Sequence, residues 1–155
     1  MIEIEIPGRE KLLLKTLLLD YNGTIAADGI LLPALSERIK ELQRRLSVKL
    51  LTADTYGSVR RQCDALGIEI STFPREGAAG CKAEIASSCG GGVVSLGNGF
   101  NDIPMFDASL LSIAVLDREG LCASLLSHAD VLVLSAADGL DLLLKPDRLR
   151  ATLRS

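Results

Sequence analysis

Leu17-Leu18-Leu19-Asp20-Tyr21-Asn22-Gly23-Thr24 is an apolar run that ends in a carboxylate and breaks at a Gly-Thr turn. A short apolar run bounded by turn residues reads as a strand buried on both faces. Asp20 then stands at the carboxyl edge of a sheet, where open α/β sheets bind ligands. A carboxylate in that place can act as a covalent nucleophile. Taken alone, the same residues describe equally well a strand that an Asp and a Gly terminate.

Working outward, Leu50-Leu51-Thr52-Ala53-Asp54 is a second apolar run, ending in a hydroxyl. Val93-Val94-Ser95-Leu96 is a third, followed by Gly97-Asn98-Gly99-Phe100-Asn101-Asp102. Lys82 opens an expected helix between them. The pattern predicts core strands at 48–52, 68–71, 93–96, 112–115 and 131–134, with helices at 56–66, 78–89, 102–108, 121–127 and 136–144. Pro33 starts one more helix, with Leu35, Ile39, Leu42 and Leu46 as its apolar stripe. This alternation implies an α/β fold, a Rossmann-like, doubly wound and mainly parallel sheet. Residues 1–155 are expected to form one domain. Ile2, Ile4 and Ile6 alternate with acids and begin an N-terminal β-hairpin within 1–15. Asp28-Gly29 marks a small flap hairpin at 24–32. Gly90-Gly91-Gly92 lies between a helix and a strand and reads as a helix stop, since no helix N-terminus follows it to bind phosphate.

The order Asp20, Thr52, Lys82 and the Gly97–Asp102 loop resembles the haloacid dehalogenase-like (HAD) phosphohydrolase superfamily, in which four such motifs build one phosphate site. Within it, the phosphorylation domain of P-type ATPases is similar: its DKTGT, TGD, Lys and GDGxNDxP stand beside DYNGT, TAD, Lys82 and GNGFNDIP here. The resemblance runs roughly from Leu17 to Asp138. It implies a Mg²⁺-dependent phosphohydrolase with Asp20 as nucleophile and an aspartyl-phosphate intermediate. The catalytic set would be Asp20, Asn22, Thr52 and Lys82. Thr52, Ala53, Lys82 and Asn101 would bind the phosphorylated substrate. Mg²⁺ would sit on Asp20, the Asn22 carbonyl, Asp102 and Asn98. Relatives with cap or nucleotide-binding domains insert them before or after the Thr52 strand. The spacing here leaves no room for either, so no cap domain is expected. A large substrate or a second subunit is expected to cover an open site of that kind; the isoleucine-bearing edge strand is the candidate homo-oligomer contact, and a strand packed on its own domain accounts for it equally well.

Two departures bear on mechanism. Phosphatases of this superfamily usually carry an Asp where Asn22 stands, and an amide cannot transfer a proton. General acid–base help is worth ~10²–10⁴-fold, so slow turnover and a preference for good leaving groups follow. Asn98 replaces another Asp and brings no charge to the metal. Both changes also suit an alternative: a catalytically weak or non-enzymatic module that binds phosphate or metal for regulation.

Composition excludes other classes. The 155 residues are 48% hydrophobic with only 3% aromatics, so the core is aliphatic. A net charge of −3 without a basic stripe argues against nucleic acid. No apolar run approaches the roughly 18 residues of a membrane span. The acidic start, Met1-Ile2-Glu3-Ile4-Glu5, does not look like a signal peptide. Cys63, Cys81, Cys89 and Cys122 form no CxxC pair, which suits reduced thiols and a cytoplasmic location. His128, the one histidine, reads as a surface or helix-end residue. The basic C-terminal stretch with Arg148, Arg150 and Arg154 is expected to be a solvated end.

Overall fold

The computed structural model describes residues 1–54 and 57–155. Two short strands, β1 (Ile2–Ile4) and β2 (Leu12–Leu14), form an antiparallel hairpin. The chain then enters β3 (Thr16–Asp20), the centre of the sheet. A second hairpin, β4 (Ala26–Ala27) and β5 (Ile30–Leu31), turns at Asp28 and Gly29, both with positive φ. That is the backbone a two-residue hairpin of this kind requires. Helix α1 (Ser36–Gln43) follows a 3₁₀ turn opened by Pro33.

Next come β6 (Ser47–Thr52), α2 (Ser58–Cys63), β7 (Glu69–Thr72) and α3 (Ala78–Ser88). Then follow β8 (Val93–Gly97), α4 (Ile103–Asp107), β9 (Leu111–Val115) and β10 (Val131–Val133). Helices α5 (Ala136–Leu144) and α6 (Pro146–Leu153) close the chain. The six-stranded sheet has the order β10-β9-β8-β3-β6-β7 and every pairing in it is parallel. Every residue of β3, β8 and β9 is buried, as strands covered by helices on both faces must be.

Between Thr24 and the start of β6 at Ser47 the chain holds only the β4–β5 flap, a 3₁₀ turn and α1. No separate cap is present among the described residues.

One large apolar cluster joins Leu17, Leu19 and Leu50 to α1, α5, α6 and the N-terminal hairpin. A smaller one on the other face joins Leu18, Leu51 and Val93 to α3 and α4. Alternate residues of the same strands feed opposite layers, as the two-residue period of a strand demands. The chain winds from β3 through β6 to β7, then crosses back to β8 and proceeds outward to β10. The strand order therefore reverses between β3 and β8, and a crevice opens there at the carboxyl edge.

Three expectations need correction. The 121–127 helix is instead a 3₁₀ segment, Ala123–His128, whose one buried residue is Leu125. Cys122 is extended, with ψ 117°, so the segment begins after it and closes by a tighter turn, Leu125 N donating to the Cys122 carbonyl at 2.9 Å. The start of the 56–66 helix at Tyr56 lies outside the described residues. From Ser58 on, the helix runs to Cys63 and tightens into a 3₁₀ turn at Asp64–Leu66. The C-terminal stretch is not a solvated end. Pro146 opens α6, and Leu149 and Leu153, four apart, are buried. Arg150 Nε donates to the Glu5 carbonyl at 2.8 Å and Ser155 N to the Pro7 carbonyl at 3.3 Å. The helix thus docks on the N-terminal hairpin.

Candidate active site

Asp20 is the last residue of β3, and the next five residues form a tight loop into β4. The Tyr21 carbonyl accepts from the amides of Thr24, Ile25 and Ala26 at 3.0–3.3 Å. Gly23 has φ +80°, and a Cβ there would meet Asn98 Nδ2 at 2.3 Å. Only glycine brings this loop so close to the one after β8.

Lys82, on the first turns of α3, is 2% exposed although it is a lysine. Its Nζ donates to Asp20 Oδ1 at 2.7 Å, Asp102 Oδ1 at 2.6 Å and Asn101 Oδ1 at 3.1 Å. An ammonium has three protons, so all are engaged. Asp102 is fully buried beneath the loop. Its Oδ2 accepts from the amides of Asn98 at 3.0 Å and Gly99 at 2.9 Å, and this ties down the Gly-rich turn. Wholly buried and outside the cavity lining, Asp102 reaches a ligand only if Lys82 or the loop above it shifts.

Thr24 Oγ1 lies 3.0 Å from Asp20 Oδ2 and 3.2 Å from Asn98 Oδ1. Its single proton serves one acceptor at a time. Asn98 Nδ2 donates to the Gly120 carbonyl at 3.1 Å, which orients the amide oxygen toward Asp20. Two hard oxygens therefore compete for one donor, and the unserved one is free for a cation. Oxygen donors of this type suit Mg²⁺.

Charge points the same way. When both carboxyls are ionised, two buried carboxylates face one ammonium, and the negative charge left over calls for a partner, a cation or a proton. Burial and the neighbouring Asp102 push the Asp20 carboxyl up to about 7, against the pull of Lys82. Lys82 is held above its ordinary value. Burial pulls it down, and the two carboxylates outweigh that.

Thr52 ends β6 with its hydroxyl accepting from Asp54 N at 3.1 Å. It does not cap α2, whose N-terminal amides are met by Asp54: Oδ2 accepts from Val59 N at 3.0 Å and from the Ser58 hydroxyl. The Thr52 proton is left to point elsewhere.

A cavity of about 390 Å³ at the carboxyl edge is lined by Asp20, Asn22, Thr52, Ala53, Lys82, Asn98 and Asn101. All the sequence-predicted site residues except the underlying Asp102 thus meet in one place. Phe73, Gly99 and Phe100 complete the lining. The two phenylalanines were not expected there, and their signal was position alone: each lies within three residues of the end of a core strand. The β4–β5 flap borders an adjoining cavity through Gly29 rather than this one. Among the described residues, no group of three or more His, Cys, Asp or Glu gathers as a metal site, in this cavity or outside it, so a cation here would rest on two carboxylates at most, with amide and carbonyl oxygens beside them. His128 pairs with Asp107 at 2.6 Å, and neither lines this cavity.

No family model matches the chain. A "probable cadmium/zinc-transporting ATPase" of Arabidopsis thaliana chloroplasts is 33% identical over 106 residues, 66% of this chain. The match spans only 13% of that ATPase. An uncharacterized protein of Methanocaldococcus jannaschii is 37% identical over 62 residues, 40% of this chain and 67% of its own length.

Among solved structures, the cobalt-bound deoxy-D-mannose-octulosonate 8-phosphate phosphatase of Haemophilus influenzae superposes with a TM-score of 0.73 at 17% identity, covering 92% of this chain and 94% of that one. The corresponding phosphatase of Moraxella catarrhalis, in complex with magnesium, phosphate and its sugar acid, gives 0.72 at 16%, covering 91% and 94%. A HAD-family hydrolase of Streptomyces avermitilis gives 0.69 at 18%, covering 86% and 87%. Among the described residues, no helix is long and apolar enough to cross a membrane. The chain shares a family with the Methanocaldococcus protein, and its fold is that of the haloacid dehalogenase-like hydrolases.

Proposed function

We propose that the protein is a Mg²⁺-dependent phosphohydrolase that works through an aspartyl-phosphate on Asp20, in the manner of the P-type ATPase-like branch. The observation that carries this reading is the meeting of Asp20, Lys82, Thr52 and Asn98 in one cavity at the point where the strand order reverses.

Phosphoryl transfer depends mainly on positioning and charge neutralisation. Asp20 Oδ1 attacks phosphorus, the leaving-group oxygen departs with its electron pair, and water then hydrolyses the acyl phosphate. Lys82 turns from the consumed Asp20 charge to a phosphoryl oxygen. Thr52 donates its free proton to another. Asn101 and the Ala53 backbone border the same space.

Asp20 Oδ2, the Asn22 carbonyl and Asn98 Oδ1 would hold Mg²⁺, with Asp102 joining when Lys82 moves. The ion supplies the positive charge that offsets the site's net negative charge and admits a phosphate dianion. Asn22 lines the cavity but transfers no proton, so turnover is slow and good leaving groups are favoured. That same residue supports a second reading, a phosphate-binding regulatory module without turnover.

Beryllium fluoride with Mg²⁺ separates the readings. It should form a stable adduct on the wild-type protein, seen by fluorine NMR, and Asp20→Asn should lose both the adduct and hydrolysis of acetyl phosphate. Hydrolysis that persists in Asp20→Asn overturns covalent catalysis, and an adduct without turnover leaves the regulatory module.

A further inference from the structure

This chain has three phenylalanines and no tryptophan. Two of those phenylalanines, Phe73 and Phe100, line the candidate phosphate cavity. Phe73 follows β7 and is 6% exposed, its ring part of the smaller apolar cluster. Phe100 follows β8 and is 69% exposed, although its backbone is fixed by the turn that Asp102 holds. In the sheet order, β8 and β7 lie on opposite sides of β3 and β6. The two rings therefore approach from either side of Asp20 and Thr52. An aromatic side chain left mostly in water on a fixed turn, with a second ring across the same cavity, is open to an apolar part of a ligand, and ligand pockets pair such rings with a few polar groups.

Resting on the phosphohydrolase reading above, we infer that the substrate is an aryl phosphate, and that Phe100 packs against the aromatic ring of its leaving group. A second observation supports this independently. Asn22 cannot protonate a departing alkoxide, whereas a phenolate leaves without that help. The residue that limits the chemistry and the residue that offers the surface thus favour the same leaving group. The Phe100 ring presents a face or an edge to the substrate ring, as aromatic pairs do. The phosphoryl end lies on Lys82 and Thr52.

Para-nitrophenyl phosphate and acetyl phosphate both carry good leaving groups, and only the first has a ring. Phe100→Ala should raise KM for the aryl substrate about tenfold more than KM for acetyl phosphate, with little change in kcat for either. Phe100→Tyr should restore the aryl KM. An equal rise for both substrates, or no rise for the aryl one, overturns the inference.

Binding of phenylphosphonate and methylphosphonate with Mg²⁺, measured by calorimetry, separates this claim from catalysis. Should neither phosphate be hydrolysed while phenylphosphonate binds about tenfold more tightly in a Phe100-dependent way, the ring site stands and the phosphohydrolase reading falls. Equal affinity of the two phosphonates removes the ring site, whatever the turnover.

Discussion

Lys82 is the residue on which both stability and chemistry turn. Its ammonium is buried between Asp20 and Asp102, and removing one member of a buried ionic group strands the others. Lys82→Met should destabilise the fold by about 3–5 kcal/mol near pH 8. The sign of the pH dependence follows from Asp20. Its native value, pushed up to about 7, lies above its ordinary one, so the native state favours the protonated form. That contribution is whole below the ordinary carboxylate range and is lost as pH rises through 7. Without Lys82 the carboxyl rises further, so the deficit of the variant should shrink as pH falls from 8 to 5. Urea unfolding at the two pH values measures it, and a deficit independent of pH would contradict the ion-pair account.

At the scale of elements, the site depends on how closely two loops approach. The loop after β3 passes Asn98 at a distance that leaves no space for a Cβ at Gly23. The positive φ adds strain of about 1–2 kcal/mol for any other residue. Gly23→Ala should therefore lose about that much stability. It should also weaken Mg²⁺ binding, because Asn98 must shift to make room. Isothermal titration with Mg²⁺ tests this, and unchanged affinity in a folded variant would remove Asn98 from the ligand set. The flap is anchored in turn by α2. Gln62 Nε2 donates to the Gly29 carbonyl at 2.8 Å, and Gln62 Oε1 accepts from Leu31 N at 2.9 Å. Tyr21 Oη also donates to that carbonyl, at 3.2 Å.

At the scale of the whole molecule, distant parts of the chain are tied in pairs. Arg38 of α1 grips Asp141 of α5 with two hydrogen bonds, at 2.9 and 3.3 Å. Arg38 holds the Asp141 carboxyl below its ordinary range through that hydrogen bond, against partial burial, with its charge adding to the effect. A lowered value contributes stability above the ordinary carboxylate range and loses it as pH falls through the depressed one. Since Arg38 is one-third exposed, solvent screens the pair, and Arg38→Met should lose about 1 kcal/mol at neutral pH. The loss should fade in acid and in high salt. Thermal unfolding across pH reads it, and a difference that grows in acid would reverse the sign. The N-terminal hairpin is spent inside the molecule as well. Ile2, Ile4 and Ile6 are buried in the main core, so these side chains pack on the chain's own domain.

Much of this arrangement was legible in the order of residues. Apolar runs of strand length and the turn chemistry of Asp28-Gly29 are local, and local periodicity marks them. The three strand-end loops bearing Asp20, Thr52 and the Gly97–Asp102 turn could be placed because a parallel sheet sends all its carboxyl ends to one edge. Helix α6 was equally written in Pro146, Leu149 and Leu153. Its charged residues outnumber its two buried leucines, so composition alone describes a solvated end.

What only the tertiary structure decided is which groups share a proton or a charge. Lys82 and Asp20 lie 62 residues apart, and no local pattern distinguishes a buried lysine from a solvated one on a helix. Nor does spacing show that Asp102 spends both oxygens beneath the loop, or that Phe100 is left in water at the cavity mouth. Those outcomes depend on β8 crossing back to lie beside β3. Contacts made by that crossing are long-range, so they follow from the whole packed sheet and from no single segment.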